Sequence, residues 1–100
     1  MNMNKEEVGK SPELQQVLWV CYECWKNETL APNDRVLCFS WLIDPYRKKF
    51  GTRFKPTDLY WLTKYGFLIQ GETGKGGNRR YYKLADPDKT FELLQAWALR

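Results

Sequence analysis

Five prolines, at positions 12, 32, 45, 56 and 87, punctuate the sequence, and each is read as a helix start. Proline lacks an N–H and has φ fixed near the helical value, so it suits the first turn and breaks a bond in the interior. Ser11-Pro12-Glu13 gives a cap, a first-turn proline and an acidic residue at the positive helix end. Leu14, Val17, Leu18, Cys21 and Trp25 then recur at helical spacing, predicting a helix to about Asn27. Pro32-Asn33-Asp34 opens a second segment, residues 36–43, which is apolar nearly all round and expected to be largely buried. Asp44-Pro45 starts a separate short basic helix, Tyr46-Arg47-Lys48-Lys49-Phe50, stopped by Gly51. Pro56 begins a helix through Tyr65 that Gly66 closes, and Asp86-Pro87 begins the last, with Phe91, Leu94, Trp97 and Ala98. The first ten residues are polar and expected to fray, leaving residues 11–100 as one domain.

Between the last two helices the period changes from helical to alternating. Phe67-Leu68-Ile69-Gln70 and Arg79-Arg80-Tyr81-Tyr82-Lys83-Leu84 are rich in strand formers and flank a glycine-rich stretch, residues 71–78. This predicts a β-hairpin with a basic tip. Along its second strand Leu84 points inward, which by alternation makes Tyr82 a core residue and leaves Arg79 and Lys83 exposed.

Size and composition narrow the function classes. One hundred residues hold one hydrophobic core, and a chain with 43% hydrophobic and 16% aromatic residues is expected to fold. No run approaches the roughly 20 apolar residues of a membrane helix, and no apolar leader opens the sequence; a cytoplasmic protein is expected. There is no histidine, so the usual general base near neutral pH is missing, and an enzyme is not expected. Cys21-Tyr22-Glu23-Cys24 has redox or zinc spacing but lies within a helix, and Cys38 is the only other thiol. Structural thiols are expected, with no metal and no cofactor.

The net charge of +4 hides an asymmetry. Residues 1–44 sum to −3 and residues 84–100 to −1. Residues 45–83 hold Arg47, Lys48, Lys49, Arg53, Lys55, Lys64, Lys75, Arg79, Arg80 and Lys83 against only Asp58 and Glu72, a sum of +8. A basic middle on a slightly acidic frame is the footprint of a phosphate-binding surface.

Two strings within this basic middle carry a resemblance. Leu59-x-x-Leu62-x-x-x-Gly66-Phe67-Leu68 resembles the recognition helix of the winged helix-turn-helix superfamily running into its first wing strand. Gly76-Gly77-Asn78-Arg79-Arg80-Tyr81-Tyr82-Lys83-Leu84 resembles the second wing strand of PadR-type and related transcriptional regulators. The opening helices do not align with the PadR family, so the expectation is set at the superfamily. The resemblance covers about 40 residues and implies a mostly helical α+β fold with a two-stranded wing and a C-terminal helix. It further implies a recognition helix at 56–65 and a wing at 71–83, both on duplex DNA.

Residue geometry leads to the same surface by a separate route. At about 100° per residue, Leu59 and Leu62 point one way while Thr57, Tyr60, Trp61 and Lys64 fall on the other side. In a major groove Thr57 and Lys64 reach base edges or phosphates, and the rings pack on thymine methyls. Trp61 and Tyr60 have a competing role, tucked under the first helix or the wing to complete the core. Lys75, Arg79 and Arg80 belong to the wing and Arg47 and Lys48 to the preceding helix, all suited to phosphates. The stripe Phe91, Leu94, Trp97 either closes the core or pairs two chains as a homodimer. The leading expectation is a small winged-helix DNA-binding protein, a transcriptional regulator. The alternatives are a winged-helix protein-interaction module using exposed aromatics, and a non-specific or replication-associated binder of single strands or RNA that stacks bases on Tyr60, Trp61 and Tyr81.

Overall fold

The structure, a computed structural model, describes residues 3–71 and 80–98. It is α+β and mostly helical: α1 (Lys5–Gly9), α2 (Pro12–Lys26), α3 (Phe39–Phe50), α4 (Pro56–Lys64), β1 (Leu68–Gln70), β2 (Tyr82–Leu84) and α5 (Pro87–Ala98). None of these helices is long and apolar enough to cross a membrane.

The central element is α2. Ser11 Oγ accepts from the Leu14 N–H at 3.2 Å, satisfying one of the orphan donors of the first turn, and Pro12 occupies the start. Its buried Leu14, Val17, Leu18 and Cys21 form the expected stripe, and all four other helices pack against it. Leu18, Leu42, Leu59, Leu62, Phe67 and Leu68 are almost wholly removed from water where these elements meet. In the antiparallel pair of β1 and β2, Leu68 stands opposite Leu84, Ile69 opposite Lys83 and Gln70 opposite Tyr82. Leu37 adds a bridge on the far side of β2, exchanging both backbone bonds with Tyr82 at 2.8 Å. Tyr82 and Leu84 are buried and Lys83 is exposed, as alternation requires.

Pro12, Pro56 and Pro87 open helices, but the other two prolines do not behave as expected. Pro32 starts only a 3-10 turn, Pro32–Asp34, after which the chain is extended through Leu37. The backbone there bonds to β2, and that pairing overrides the helical pattern. Pro45 lies inside α3, which runs unbroken where a new helix was expected. Leu42 and Tyr46, four residues apart, must face the core together, and only a continuous helix does this. The Tyr46 ring is then 4.9 Å from Phe50 and 5.0 Å from Phe54, so one aromatic cluster fixes both the end of α3 and the following turn. Gly51 closes α3 at φ +76°, its N–H bonded to the Arg47 carbonyl at 2.8 Å.

The opening residues, expected to fray, contain α1. The reason is one buried residue, Val8, and a set of backbone bonds. Asn4 caps the helix through its side chain, and its own N–H donates to the Tyr65 carbonyl at 2.7 Å. Gln15 Nε2 on α2 donates to the carbonyls of Val8 at 3.0 Å and Gly9 at 2.9 Å. A single apolar residue has no period, so the sequence pattern gave no sign of α1.

Candidate nucleic-acid interface

The start of α4 is set by Lys55-Pro56, and its third residue, Asp58, turns back on it. The Asp58 carboxylate accepts from the Lys55 N–H at 3.4 Å, and the Asp58 N–H donates to the Lys55 carbonyl at 2.9 Å. Burial pushes the Asp58 carboxyl above its usual pKa; the Lys55 N–H opposes the rise and the charge of Glu13 adds to it. Asp58, Leu59 and Leu62 are the buried side of the helix. The far end is made by Gly66 at φ +85° and a Phe67 N–H to Leu62 carbonyl bond of 2.9 Å, which turn the chain into β1.

The other side of α4 presents Thr57, Tyr60, Trp61 and Lys64, all exposed. Trp61 is 39% exposed and so takes the outward of its two expected roles. Its ring stacks on Tyr65 with centroids 5.7 Å apart and meets Tyr60 edge-on at 5.4 Å. Lys64 Nζ lies 5.2 Å from the Trp61 ring centre, within cation–π range. These contacts hold the rings and the ammonium in one arrangement, which reduces the rotamer entropy lost on meeting a partner.

Along the chain the exposed charge through α4 is basic, although Glu13 on α2 is close enough to act on Asp58. Between Pro45 and Gly71 the only carboxylate is Asp58, and it is buried, while Arg47, Lys48, Arg53, Lys55 and Lys64 are exposed without an ion pair among the described residues. Arg53 and Lys55 were not singled out from the sequence, although Lys55 directly precedes the proline that starts the helix. The structure divides the rest of the basic set. Lys48 borders a cleft of about 370 Å³ with Val20, Glu23 and Cys24, a cleft lined by no residue of α4. Lys49 is paired with Glu23 and lies 4.9 Å from the Trp19 ring centre. Lys83 Nζ donates to the Asn33 carbonyl at 2.6 Å. Arg35 donates to the Leu30 carbonyl at 2.7 Å and covers the Trp25 ring. Arg80 is exposed just ahead of β2, whereas Lys75 and Arg79 lie outside the described residues.

Three further side-chain groups bear on the site. Trp41, expected within a buried run, is 50% exposed, and its ring centroid is 5.7 Å from that of Tyr81. The α5 stripe is divided: Leu94 is buried, Trp97 packs 6.2 Å from Phe67, and Phe91 lies outward against Tyr22 at 5.4 Å. The cysteines are free, and burial, reinforced by neighbouring groups, pushes the thiols of Cys21 and Cys24 above their usual pKa. Comparison of the chain with family models, with curated proteins and with solved structures found no match.

Proposed function

We propose that this chain is a small winged helix-turn-helix protein that binds double-stranded DNA through α4 and serves as a transcriptional regulator. The observation that carries the proposal is the face of Thr57, Tyr60, Trp61 and Lys64 on a stretch whose one carboxylate is buried. The order of elements supports it: α2, the Leu37 bridge, α3, α4, then an antiparallel pair, with β2 between Leu37 and β1. The resemblance implies a recognition helix running into the first wing strand, and α4 is followed directly by β1, which supports the reading. In this reading Thr57 and Lys64 discriminate bases, Tyr60 and Trp61 pack on them, and Arg53, Lys55, Arg47 and Arg80 hold phosphates.

The test is fluorescence anisotropy of a labelled random duplex at several salt concentrations, with wild type, Lys64→Ala and Arg53→Ala/Lys55→Ala. Each phosphate contact removed is expected to lower the salt slope by about one unit. Far-UV circular dichroism confirms the fold of each variant, which exposed substitutions shift by only about 0.5 kcal/mol. Absence of duplex binding by the wild type at low salt overturns the proposal and moves the protein-interaction reading ahead.

A further inference from the structure

A duplex held against α4 is read by whatever side chains that helix exposes, and their chemistry is unusual for the task. Bases are read by paired hydrogen bonds from arginine or lysine to guanine, from asparagine or glutamine to adenine, and from cytosine to a carboxylate. Residues 56–64 include no arginine, asparagine or glutamine, and the one carboxylate, Asp58, is buried. Thr63 is engaged within the helix, its hydroxyl donating to the Leu59 carbonyl at 2.8 Å. Lys64 is the one remaining reader of this kind, and its Nζ is drawn to 5.2 Å from the Trp61 ring centre. Its ammonium, like the Thr57 hydroxyl, also finds an acceptor at N7 of either purine, so neither group alone separates the bases sharply.

What the face offers instead is ring surface. Tyr60 is 53% exposed and Trp61 39% exposed, and they meet edge-on with centroids 5.4 Å apart. Tyr65 stacks on Trp61, so the two outer rings form one fixed apolar surface. The major-groove edges of the base pairs carry donors and acceptors, with one apolar exception, the C5-methyl group of thymine. A ring laid over a donor or acceptor strips its water and gives no bond in return, which is unfavourable. The same ring laid over a methyl group removes apolar surface of both from water. Cytosine methylated at C5 carries that methyl at the same position of the pyrimidine ring, with its pairing edge unchanged.

We propose that Tyr60 and Trp61 select pyrimidines bearing a C5-methyl group, so that the chain prefers thymine over uracil and methylated over unmethylated cytosine in the duplex under α4. This rests on the duplex reading, and the experiment separates the two. Anisotropy titrations use an alternating A·T duplex, the same duplex with deoxyuridine in place of thymine, an alternating G·C duplex, and the same duplex with 5-methylcytosine in place of cytosine. Each pair differs only in the methyl groups, and opposite base compositions separate a methyl contact from a preference for A·T groove shape. The methylated member of each pair is expected to bind more tightly, by about fourfold for each methyl buried. Tyr60→Ala and Trp61→Ala should each reduce that ratio, and the double variant should bring it close to one while keeping the salt slope of the wild type. Tyr60→Ala alone serves should loss of the Trp61 ring disturb the fold. Equal affinity within both pairs overturns the methyl selectivity and leaves duplex binding intact. So does a difference confined to the A·T pair, or a methyl preference that survives undiminished in folded Tyr60→Ala. Failure to bind any of these duplexes removes the duplex reading and the selectivity with it.

Discussion

Pro45 offers a direct measure of how strongly core packing governs this fold. It is the seventh residue of α3, so its missing N–H leaves the Trp41 carbonyl without its intrahelical donor, and its ring crowds that carbonyl. Replacing an interior proline with alanine recovers about 3 kcal/mol of helix propensity. Against this, the more flexible unfolded chain costs about 0.5–1 kcal/mol. Loss of the half-buried ring, which borders the cleft beside Val20 and Cys24, costs about another 1 kcal/mol. Pro45→Ala should therefore be stabilising by about 1–1.5 kcal/mol, which for a chain of this length raises Tm by about 4–12 °C. Thermal unfolding followed at 222 nm measures this, with urea unfolding to confirm an unchanged m-value. An unchanged or lower Tm would mean that α3 is not one continuous helix through Pro45, and the argument from Leu42 and Tyr46 would fail.

Three further outcomes are expected. Leu94→Ala should destabilise the protein by about 2–3 kcal/mol, the lower part of the large-to-small range because the site already borders an open cleft; a fully stable variant with a reduced mass in sedimentation would place Leu94 at a dimer interface instead. Stability should respond to pH through two carboxylates of opposite sign. Burial raises Glu23, but the hydrogen bonds from Lys49 and Trp19 outweigh it and hold its pKa below the unfolded value. Its contribution is present above the unfolded pKa and lost as pH falls through the folded one, so Glu23→Gln should flatten the acid limb of a stability–pH profile. Asp58 is raised, so its contribution is present below the unfolded pKa and lost as pH rises through the folded one, and Asp58→Asn should remove that loss. In native protein at pH 8 the buried thiols should react with a disulfide reagent far more slowly than in urea, and prompt reaction of two thiols would contradict their placement.

Local chemistry was legible in the sequence, and long-range pairing was not. Ser11-Pro12, Pro56 and Asp86-Pro87 give true helix starts because cap and first-turn preferences are decided within four residues. The exposed face of α4 follows from 100° per residue once Leu59 and Leu62 are assigned inward. Pro32 misled because the partner that decides Leu37, Tyr82, lies elsewhere in the chain, and Pro45 because Leu42 and Tyr46 on either side of it share one buried face of a continuous helix. The same holds for the basic residues. Which lysines are occupied depends on Glu23, 26 residues from Lys49, and on Asn33, 50 residues from Lys83. Trp41 was read as buried because an apolar run signals burial on average without indicating which member is left out.

The bond from the Asn4 N–H to the Tyr65 carbonyl ties the opening of the chain to the last turn of α4. With Gln15 anchoring the other end of α1, this forms a brace across the base of α4. Force applied ahead of Asn4 is thereby transmitted to α4 without passing through the core. A bulky fusion joined there would act as a lever on the helix that carries Tyr60, Trp61 and Lys64, whereas the same fusion after α5 would not. Protection of the Asn4 amide in hydrogen exchange thus reports, from the edge of the molecule, whether the far end of α4 is seated.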